Sequence, residues 1–307
     1  MQKTKSGDFL GDRMKRYEAL STSRQLMPGT PVYARIDGRA FHTMCRGLRK
    51  PYSRAFMYAM GETCRFLVDK TGAKLGYVQS DEISLGWEDC SKAPFEGRIQ
   101  KLESVLASMA AAKFALVVET ANPLNASYDG SDMEVLKERV ERFVPSFDCR
   151  VFNVPDMSEL ANSFLWREND AIKNSITGMA LSFFSHKQLQ NVSGDMKVTM
   201  MKAEGYDFYR ETPPAFMRGS FYRRETYWKE ISKEDYNRAS LKWGYGVSVN
   251  DDGGGEKYYC QRSRVGEMFL PYRLSETQCV DRVLFNEDNP MPKTNTPTFV
   301  LDKELHG

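Results

Sequence analysis

Two short apolar segments that end in acidic residues constrain the fold of this chain more than any other feature. The first, Pro31–Ile36, predicts a strand that stops at Asp37-Gly38, where glycine permits a sharp backbone turn. The second is a pair of strand-like runs, Lys74–Val78 and Ile83–Trp87, and the four residues between them, Gln79–Glu82, predict a hairpin tip. Both segments therefore present carboxylates at strand ends.

Hydrophobic residues at helical spacing predict helices on both sides of these strands. Between Tyr52 and Lys70 the apolar positions recur every three or four residues, and Gly72 is a typical C-terminal stop. The order strand, helix, hairpin, helix, strand predicts an α+β fold, in which helices cover one face of a mainly antiparallel sheet and the opposite face carries the chemistry. Beyond Tyr206 the pattern is irregular, and we expect a less regular C-terminal appendage. Further helices are predicted at 12–20, 99–113, 133–143, 157–190 and 196–204, and a further strand at 150–154.

The charge of the whole chain is close to balanced, but its local distribution is not. Lys and Arg number 43 and Asp and Glu 41, a net charge of +2, so the total does not indicate a nucleic-acid partner. Between Arg35 and Arg54, however, six basic residues surround a single acid, Asp37. We expect this stretch to attract phosphate.

The cysteines and the N-terminus exclude several other classes. Six cysteines are scattered without a C-x-x-C pair, which argues against a zinc ribbon or a redox motif. The first residues lack the apolar run of a signal peptide, and no window approaches the roughly 18 consecutive apolar residues of a membrane span. We therefore expect a cytoplasmic protein without a membrane partner.

The two acidic segments gain meaning when they are considered together. Taken singly, Asp37-Gly38 is typical of a tight turn, and Asp81-Glu82 is typical of a solvated hairpin tip. Two-metal phosphoryl transfer needs carboxylates from separate strands to converge on cations about 4 Å apart. A strand-end acid and an acidic hairpin tip can supply that arrangement, and nearby basic side chains can bind phosphates.

Seven sequence blocks resemble the signatures of the tRNA-His guanylyltransferase family, the 3′-to-5′ nucleotide-adding polymerases. They follow in order over residues 11–224, and residues 225–307 resemble the family only weakly. The blocks are Gly11-Asp-Arg-Met-Lys-Arg-Tyr-Glu18, Arg35-Ile-Asp-Gly-Arg-Ala-Phe-His42, Arg46-Gly-Leu-Arg-Lys-Pro-Tyr52, Tyr77-Val-Gln-Ser-Asp-Glu-Ile-Ser84, Phe147-Asp-Cys-Arg-Val-Phe152, Trp166-Arg-Glu-Asn-Asp170 and Arg218-Gly-Ser220.

The resemblance implies a polymerase-like palm with two Mg²⁺ ions. By motif, Asp37 and Asp81 would bind both metals, the Gly38 carbonyl would add a ligand, and Glu82 would complete the acidic site. It also implies three parts: a palm-like core at 1–150, a helical part that completes the nucleotide and RNA site at 151–224, and a C-terminal appendage at 225–307.

The same resemblance implies residues that bind nucleoside triphosphates. Asn174 matches a position that in the family helps to bind the second triphosphate or the activated end. Lys187 and Lys202 are candidates for a basic side chain there, with a solvated helix charge as the alternative for each lysine. His42 can bind the nucleotide or be a structural histidine. The triphosphate-binding set is Arg35, Gly38, Arg39, Ala40, Phe41, His42, Lys50 and Ser80.

The implied reaction extends the 5′ end of a tRNA and uses ATP and GTP as substrates. In the family, a 5′-monophosphate is activated by a nucleoside triphosphate, and the 3′-hydroxyl of an incoming nucleotide then attacks it. Positioning and metals suffice for this in-line transfer, which agrees with the lack of a Ser-His-Asp or Cys-His arrangement. The resemblance also implies a homo-oligomer, a tetramer.

One block departs from the family pattern. Members that add guanosine to tRNA-His carry His-Ile-Asn-Asn after the acid that corresponds to Asp170, whereas this chain has Ile172 in place of the histidine and Ser175 in place of the second asparagine. The departure resembles the bacterial and archaeal like-protein branch, which repairs truncated tRNA 5′ ends against a template. We hypothesise that addition here is directed by base pairing.

Two alternatives remain from the sequence. A palm-type nucleotide cyclase would share the two-metal arrangement, although the Gly-Gly-Asp-Glu-Phe block of such enzymes is absent and Gln79-Ser80 stand where it has glycines. A non-catalytic RNA-binding protein could use the basic stretch at 35–54. The carboxylates argue against the second alternative, because a pure binder gains nothing from acids near phosphate.

Overall fold

The computed structural model describes residues 9–122, 128–243, 247–251, 256–268, 270, 273–276 and 280–285. The strands are β1 (Val32–Gly38), β2 (Leu75–Gln79), β3 (Glu82–Trp87), β4 (Phe147–Asn153), β5 (Ser220–Ile231), β6 (Val247–Asp251) and β7 (Glu256–Met268). The helices are α1 (Phe9–Thr22), α2 (Phe41–Met44), α3 (Arg54–Thr71), α4 (Ile99–Glu119), α5 (Gly130–Arg142), α6 (Met157–Ala180), α7 (His186–Leu189), α8 (Gly194–Ala203), α9 (Phe208–Glu211), α10 (Pro214–Arg218), α11 (Lys233–Trp243) and α12 (Val280–Phe285).

In the described residues the strands form one seven-stranded sheet in the order β4-β1-β3-β2-β5-β7-β6. Every pair of neighbours is antiparallel. β1 lies between β3 and β4, and Asp37 is directly opposite Glu82 on one side and Asp148 on the other. Opposite residues of an antiparallel pair point to the same face, so the carboxyl-terminal end of β1 gathers acidic side chains on one face of the sheet.

The alternation of side chains along β1 assigns the two faces. Val32, Ala34 and Ile36 are fully buried in the larger core, which α3, α4 and α5 share. Tyr33 points to the other face, where it packs with Phe164 of α6 at a ring distance of 5.3 Å. Arg35 and Asp37 follow Tyr33 at intervals of two, and a strand has a period of two, so they lie on the α6 face.

Local signals set the ends of the helices that flank the site. Ser53 caps the N-terminus of α3, because its hydroxyl accepts a hydrogen bond from the Phe56 amide. Gly72, in the left-handed conformation, caps the C-terminus. α6 begins at Asp156, which accepts from the Glu159 amide at 2.9 Å. Close packing of α6 on the sheet uses Gly86, because a Cβ there would lie 3.0 Å from the Phe164 ring. The helix is therefore held close to β3.

The predicted α+β fold, an antiparallel sheet covered by helices, is confirmed. α6 adds a helix on the second face, beyond the one-sided cover that the element order predicted, and the site lies beside it. α4 continues to Glu119 through the apolar run after Lys113, because Phe114, Val117 and Val118 extend its buried stripe. The division at 150 and 224 stays a prediction, and residues 286–307 of its last part lie outside the described residues.

The region after residue 219 contains strands that the sequence pattern did not predict. Only Ser220–Arg223 of β5 pairs with β2, whereas Phe221–Ile231 pairs with β7 over eleven positions. We call β5 and β7 the ribbon.

In the described part of the chain, none of the helices is long and apolar enough to cross a membrane.

Candidate active site

Asp37 and Asp81, here called the carboxylate pair, come together in one cavity of about 270 Å³. Asp37 is the penultimate residue of β1, and Asp81 lies at the tip between β2 and β3. The backbone joins them, because the Gly38 amide donates a hydrogen bond of 3.0 Å to the Asp81 carbonyl. The other residues that line the cavity are Pro51, Gln79, Ser80, Glu82, Arg167, Asn174, Ser175, Gly178 and Phe216.

Two residues beside the carboxylate pair have an unusual backbone conformation, and a third position has no room for a side chain. Ser80 has a φ of 53° and Ala40 a φ of 58°, left-handed values that cost energy for residues with a side chain. At Gly38 a Cβ would lie 2.5 Å from the Phe41 ring and 2.9 Å from Asp81 Cβ. Glycine is therefore required at position 38, because the chain turn and the second carboxylate approach it so closely.

The carboxylate pair is a desolvated concentration of negative charge. Burial raises the pKa of the Asp81 carboxyl and the charge of Asp37 raises it further, while hydrogen bonds from its own backbone amide and from Ser80, together with the charge of His42, lower it less. Neither carboxylate forms an ion pair with a described residue. Such a pair is stabilised by a bound cation.

The donor set fits magnesium. Mg²⁺ in nucleotide enzymes is usually held by one or two carboxylates, with water and substrate phosphates as the other ligands. The two aspartates of the cavity match the protein part of that pattern. The carboxylate pair has two such side chains, and no group of three or more His, Cys, Asp or Glu side chains among the described residues is arranged to hold a metal ion.

Glu82 lies next to this pair but has basic partners. Its Oε1 accepts from Arg167 Nε at 2.6 Å, and its Oε2 accepts from Arg167 Nη2 at 2.9 Å. Arg35 Nε is 3.9 Å from the same Oε2. Burial raises the pKa of the Glu82 carboxyl, and Arg167 opposes that effect.

Arg167 connects Glu82 to α6. Its Nη2 also donates to Asp170 Oδ2 at 3.1 Å, and Asn174 Nδ2 donates to the same oxygen at 3.4 Å. We call Glu82, Arg167, Asp170 and Asn174 the arginine cluster. It brings the predicted residue Asn174 into the cavity, on the wall opposite the turn of β1.

The other predicted nucleotide-binding residues lie around the turn after β1 or away from it. Arg39, Ala40, His42 and Lys50 are exposed. Phe41 is 2% exposed and packs on Phe147 at a ring distance of 4.9 Å, so only its backbone can reach a nucleotide. Lys187 and Lys202 are exposed on α7 and α8 and do not line the cavity.

Residues that sequence reasoning did not assign complete the surroundings. Arg167 stood in a recognised block, but nothing in the sequence indicated that it would meet Glu82, 85 positions away. A second cavity of about 570 Å³ lies beside α6 and contains the basic residues Lys173, Lys197 and Arg273. Ile172, the residue that departs from the family block, is 7% exposed and lines this second cavity.

Comparison with known proteins identifies the family. The sequence model described as tRNAHis guanylyltransferase matches residues 11–155. A bacterial tRNA(His) guanylyltransferase-like protein solved in complex with ATP is 36% identical, with a TM-score of 0.59 over 70% of this chain and 88% of that chain. A bacterial protein of the same description, solved in complex with GTP, is 29% identical, with a TM-score of 0.59 over 88% of this chain and 95% of that one.

A curated relative supports the same assignment. The tRNA(His) guanylyltransferase of Schizosaccharomyces pombe is 25% identical over 236 residues, which are 72% of this chain and 83% of the relative. The prediction made from the sequence blocks is thus confirmed, and this chain belongs to the tRNA-His guanylyltransferase family.

Proposed function

We propose that this protein is a nucleotidyltransferase that adds nucleotides to the 5′ end of tRNA in the 3′-to-5′ direction. The convergence of Asp37 and Asp81 in one cavity carries this proposal, because it is the feature that phosphoryl transfer requires. Family membership and the nucleotide complexes of the bacterial relatives support it. ATP and GTP are the proposed substrates.

The proposed reaction has two steps. An oxygen of the RNA 5′-monophosphate attacks the α-phosphorus of ATP, which forms a phosphoanhydride and releases pyrophosphate. The 3′-hydroxyl of GTP or another nucleotide then attacks the RNA 5′-phosphorus, loses its proton to solvent and expels AMP. Both are in-line displacements, so positioning and charge stabilisation do most of the work.

The residues present divide this work. Asp37, Asp81 and the Gly38 carbonyl would hold two Mg²⁺ ions, which when bound activate the attacking oxygen and neutralise charge on the phosphates. The turn of Arg39–His42, with Arg35, Lys50 and Ser80, would bind the triphosphate. Asn174 would contact a second phosphate group from the other wall, and Lys187 and Lys202, both exposed, remain outer candidates. Glu82 borders the metal site.

Template dependence is part of the proposal. Ile172 is a buried apolar side chain where guanosine-adding relatives have a polar one, and the bacterial like-proteins are among the similar structures. We therefore expect base pairing across the acceptor stem to direct addition. A homo-tetramer, which the resemblance implies, and a cytoplasmic location, which the sequence predicts, complete the proposal.

The decisive experiment incubates the protein with Mg²⁺, ATP, GTP and 5′-monophosphorylated tRNAs that lack one or more 5′ nucleotides, followed by sequencing of the 5′ ends. We expect extension that restores pairing. A cyclic product from GTP or ATP alone would favour a cyclase, and RNA binding without any extension would favour a binder. Efficient G addition opposite an A discriminator, with no preference for C, would contradict template direction.

A further inference from the structure

Arg167 lies in the same cavity as the carboxylate pair, and the reaction above gives it no role. We propose that Arg167 binds a phosphoryl oxygen of the substrate through Nη1, and that Glu82 and Asp170 orient its guanidinium for that contact. This inference rests on the proposed function, because it names a substrate contact in the same site. It gives Glu82 the role of a positioning residue in place of a metal ligand.

The hydrogen bonds of the guanidinium leave one donor atom available. A guanidinium has five N–H groups. Nε and Nη2 carry three of them, and these donate to Glu82 twice and to Asp170 once, at 2.6 to 3.1 Å. Within the described part of the chain, the two N–H groups of Nη1 have no acceptor. Arg167 lines the cavity, so we infer that these two N–H groups are available to a ligand there.

The surroundings hold the guanidinium in a fixed orientation. The Arg167 side chain is only 14% exposed, and its Cζ lies 4.6 Å from the centre of the Trp166 ring. Arg35 approaches the same ring at 5.6 Å and the same Glu82 carboxylate. Because these contacts exist before substrate binds, little side-chain freedom is lost when a ligand accepts a hydrogen bond.

The chemistry of the donor selects phosphate. Guanidinium groups bind phosphate oxygens with strong, directional hydrogen bonds, and they remain charged at all physiological pH values. A phosphoryl group in this cavity would lie between the carboxylate pair with its cations and the arginine cluster. Two sources present that chemistry, a nucleoside triphosphate and the 5′-phosphate of an RNA.

The same geometry gives the carboxylate at position 82 a function, which is to orient Arg167. Both of its oxygens accept hydrogen bonds from Arg167, so each oxygen already has one lone pair directed at the guanidinium. Its substitution should therefore act through Arg167. A residue that acts through another gives a non-additive effect in a double-mutant cycle.

The test measures binding and turnover for Arg167→Gln, Arg167→Lys, Glu82→Gln and the double variant Glu82→Gln/Arg167→Gln. We expect Arg167→Gln to weaken phosphate binding on the order of ten- to hundredfold, the size of a lost hydrogen bond to a charged group. Arg167→Lys should restore part of the loss, because it keeps the charge but not the fork. The double variant should resemble Arg167→Gln alone.

Two binding arms identify the source of the phosphate. One arm titrates GTP and the other a 5′-monophosphorylated RNA, each against the same RNA or nucleoside without phosphate. Loss for Arg167→Gln in either arm, or in both, supports the inference and identifies the ligand. Unchanged affinity in both arms overturns it, and these readouts decide the matter even if the protein extends no tRNA.

Metal binding separates the two roles of Glu82. Titration with Mn²⁺ should give unchanged affinity for Glu82→Gln and Arg167→Gln and weaker affinity for Asp81→Asn. Weaker Mn²⁺ binding by Glu82→Gln, or additive losses in the double variant, would overturn the inference. The matched control is Arg65→Gln, which removes an arginine with the same forked contact to Glu62, 2.6 Å at its shortest, on α3 outside the cavity. Thermal melting confirms that each variant is folded.

Discussion

The carboxylate pair and three residues of the arginine cluster line one cavity, but the two groups differ in whether their negative charge is paired with a basic side chain. Asp37 and Asp81 form no ion pair with a described residue, and burial raises the pKa of Asp81. Glu82, which follows Asp81 in the chain, and Asp170 of α6 both accept hydrogen bonds from Arg167. The difference teaches that a carboxylate bound to an arginine orients that side chain, whereas two carboxylates without an ion pair are available to bind a cation.

The largest expected effect comes from the unpaired acids. Asp37→Asn and Asp81→Asn should each lower nucleotide addition by roughly 10³-fold or more, about 4 kcal/mol in the barrier, because a metal ligand is lost. Each variant should also unfold at a higher temperature than the parent protein without metal, since it relieves the repulsion between the two charges. Labelling of tRNA 5′ ends and thermal melting without divalent ions measure the two effects. Full activity in either variant would remove the carboxylate pair from the mechanism.

The next largest effect tests the buried acid behind the arginine cluster. Glu168 is fully buried, accepts from the Leu274 amide at 2.7 Å, and has Arg218 at 3.7 Å. Glu168→Ala should lower the free energy of unfolding by about 3 kcal/mol, because it leaves a buried arginine without its acid. Urea denaturation measures this loss.

A surface pair provides the control for that substitution. Glu88 contacts Lys92 at 2.7 Å, with the lysine 59% exposed, so Glu88→Ala should change stability by only about 0–1 kcal/mol. Equal effects at positions 88 and 168 would show that the buried acid does not hold the segment around Leu274.

The third prediction concerns the glycine that joins the carboxylate pair. Gly38→Ala should lower stability by about 1–3 kcal/mol, because its Cβ would overlap the Phe41 ring and crowd Asp81. Nucleotide addition should fall as well, since the two carboxylates would separate. The control is Gly194→Ala at the start of α8, where a Cβ meets nothing within 4 Å, and it should be neutral or stabilising by about 0.4–1 kcal/mol.

The smallest effect tests an acid of the ribbon. Burial raises the pKa of Glu267, and the charge of Glu62 adds to this, whereas a hydrogen bond from Ser220 lowers it. The folded protein therefore binds a proton at this carboxyl more readily than the unfolded chain, so stability increases as the pH falls through the raised pKa to the ordinary pKa of a glutamate. Glu267→Gln should remove that increase and raise the free energy of unfolding at neutral pH, with nucleotide addition unchanged. A pH series of urea denaturation curves measures it.

The elements around the carboxylate pair could be predicted because their signals are local. A strand followed by Asp-Gly, a four-residue hairpin tip and a helix with a glycine stop are each visible within one continuous stretch of sequence. β1 and β3 are each longer than predicted by one or two residues at the tip end, so Asp37 and Glu82 lie within strands. The pairing of the two then follows from the register.

The arginine cluster and the ribbon could not be predicted because their partners are distant. Arg167 meets Glu82 only because α6 crosses the sheet face, which depends on packing between Phe164 and Gly86. The ribbon alternates aromatic and charged residues in a pattern that looks irregular in the sequence. Its two strands pair with each other although α11 and β6 lie between them in the chain. Such strands become stable through pairing, which single-sequence periodicity does not report.

The hydrogen-bonded contact between the ribbon and the core sheet has a mechanical consequence. β5 is attached to β2 at Leu75–Val78, and β2 leads within two residues to the Ser80-Asp81 tip. A force that pulls on the far end of the ribbon is therefore carried along a ladder of backbone hydrogen bonds to β2, the strand that precedes Asp81. The stiffness of the four paired positions at Leu75–Val78 therefore determines how far Asp81 moves under that force.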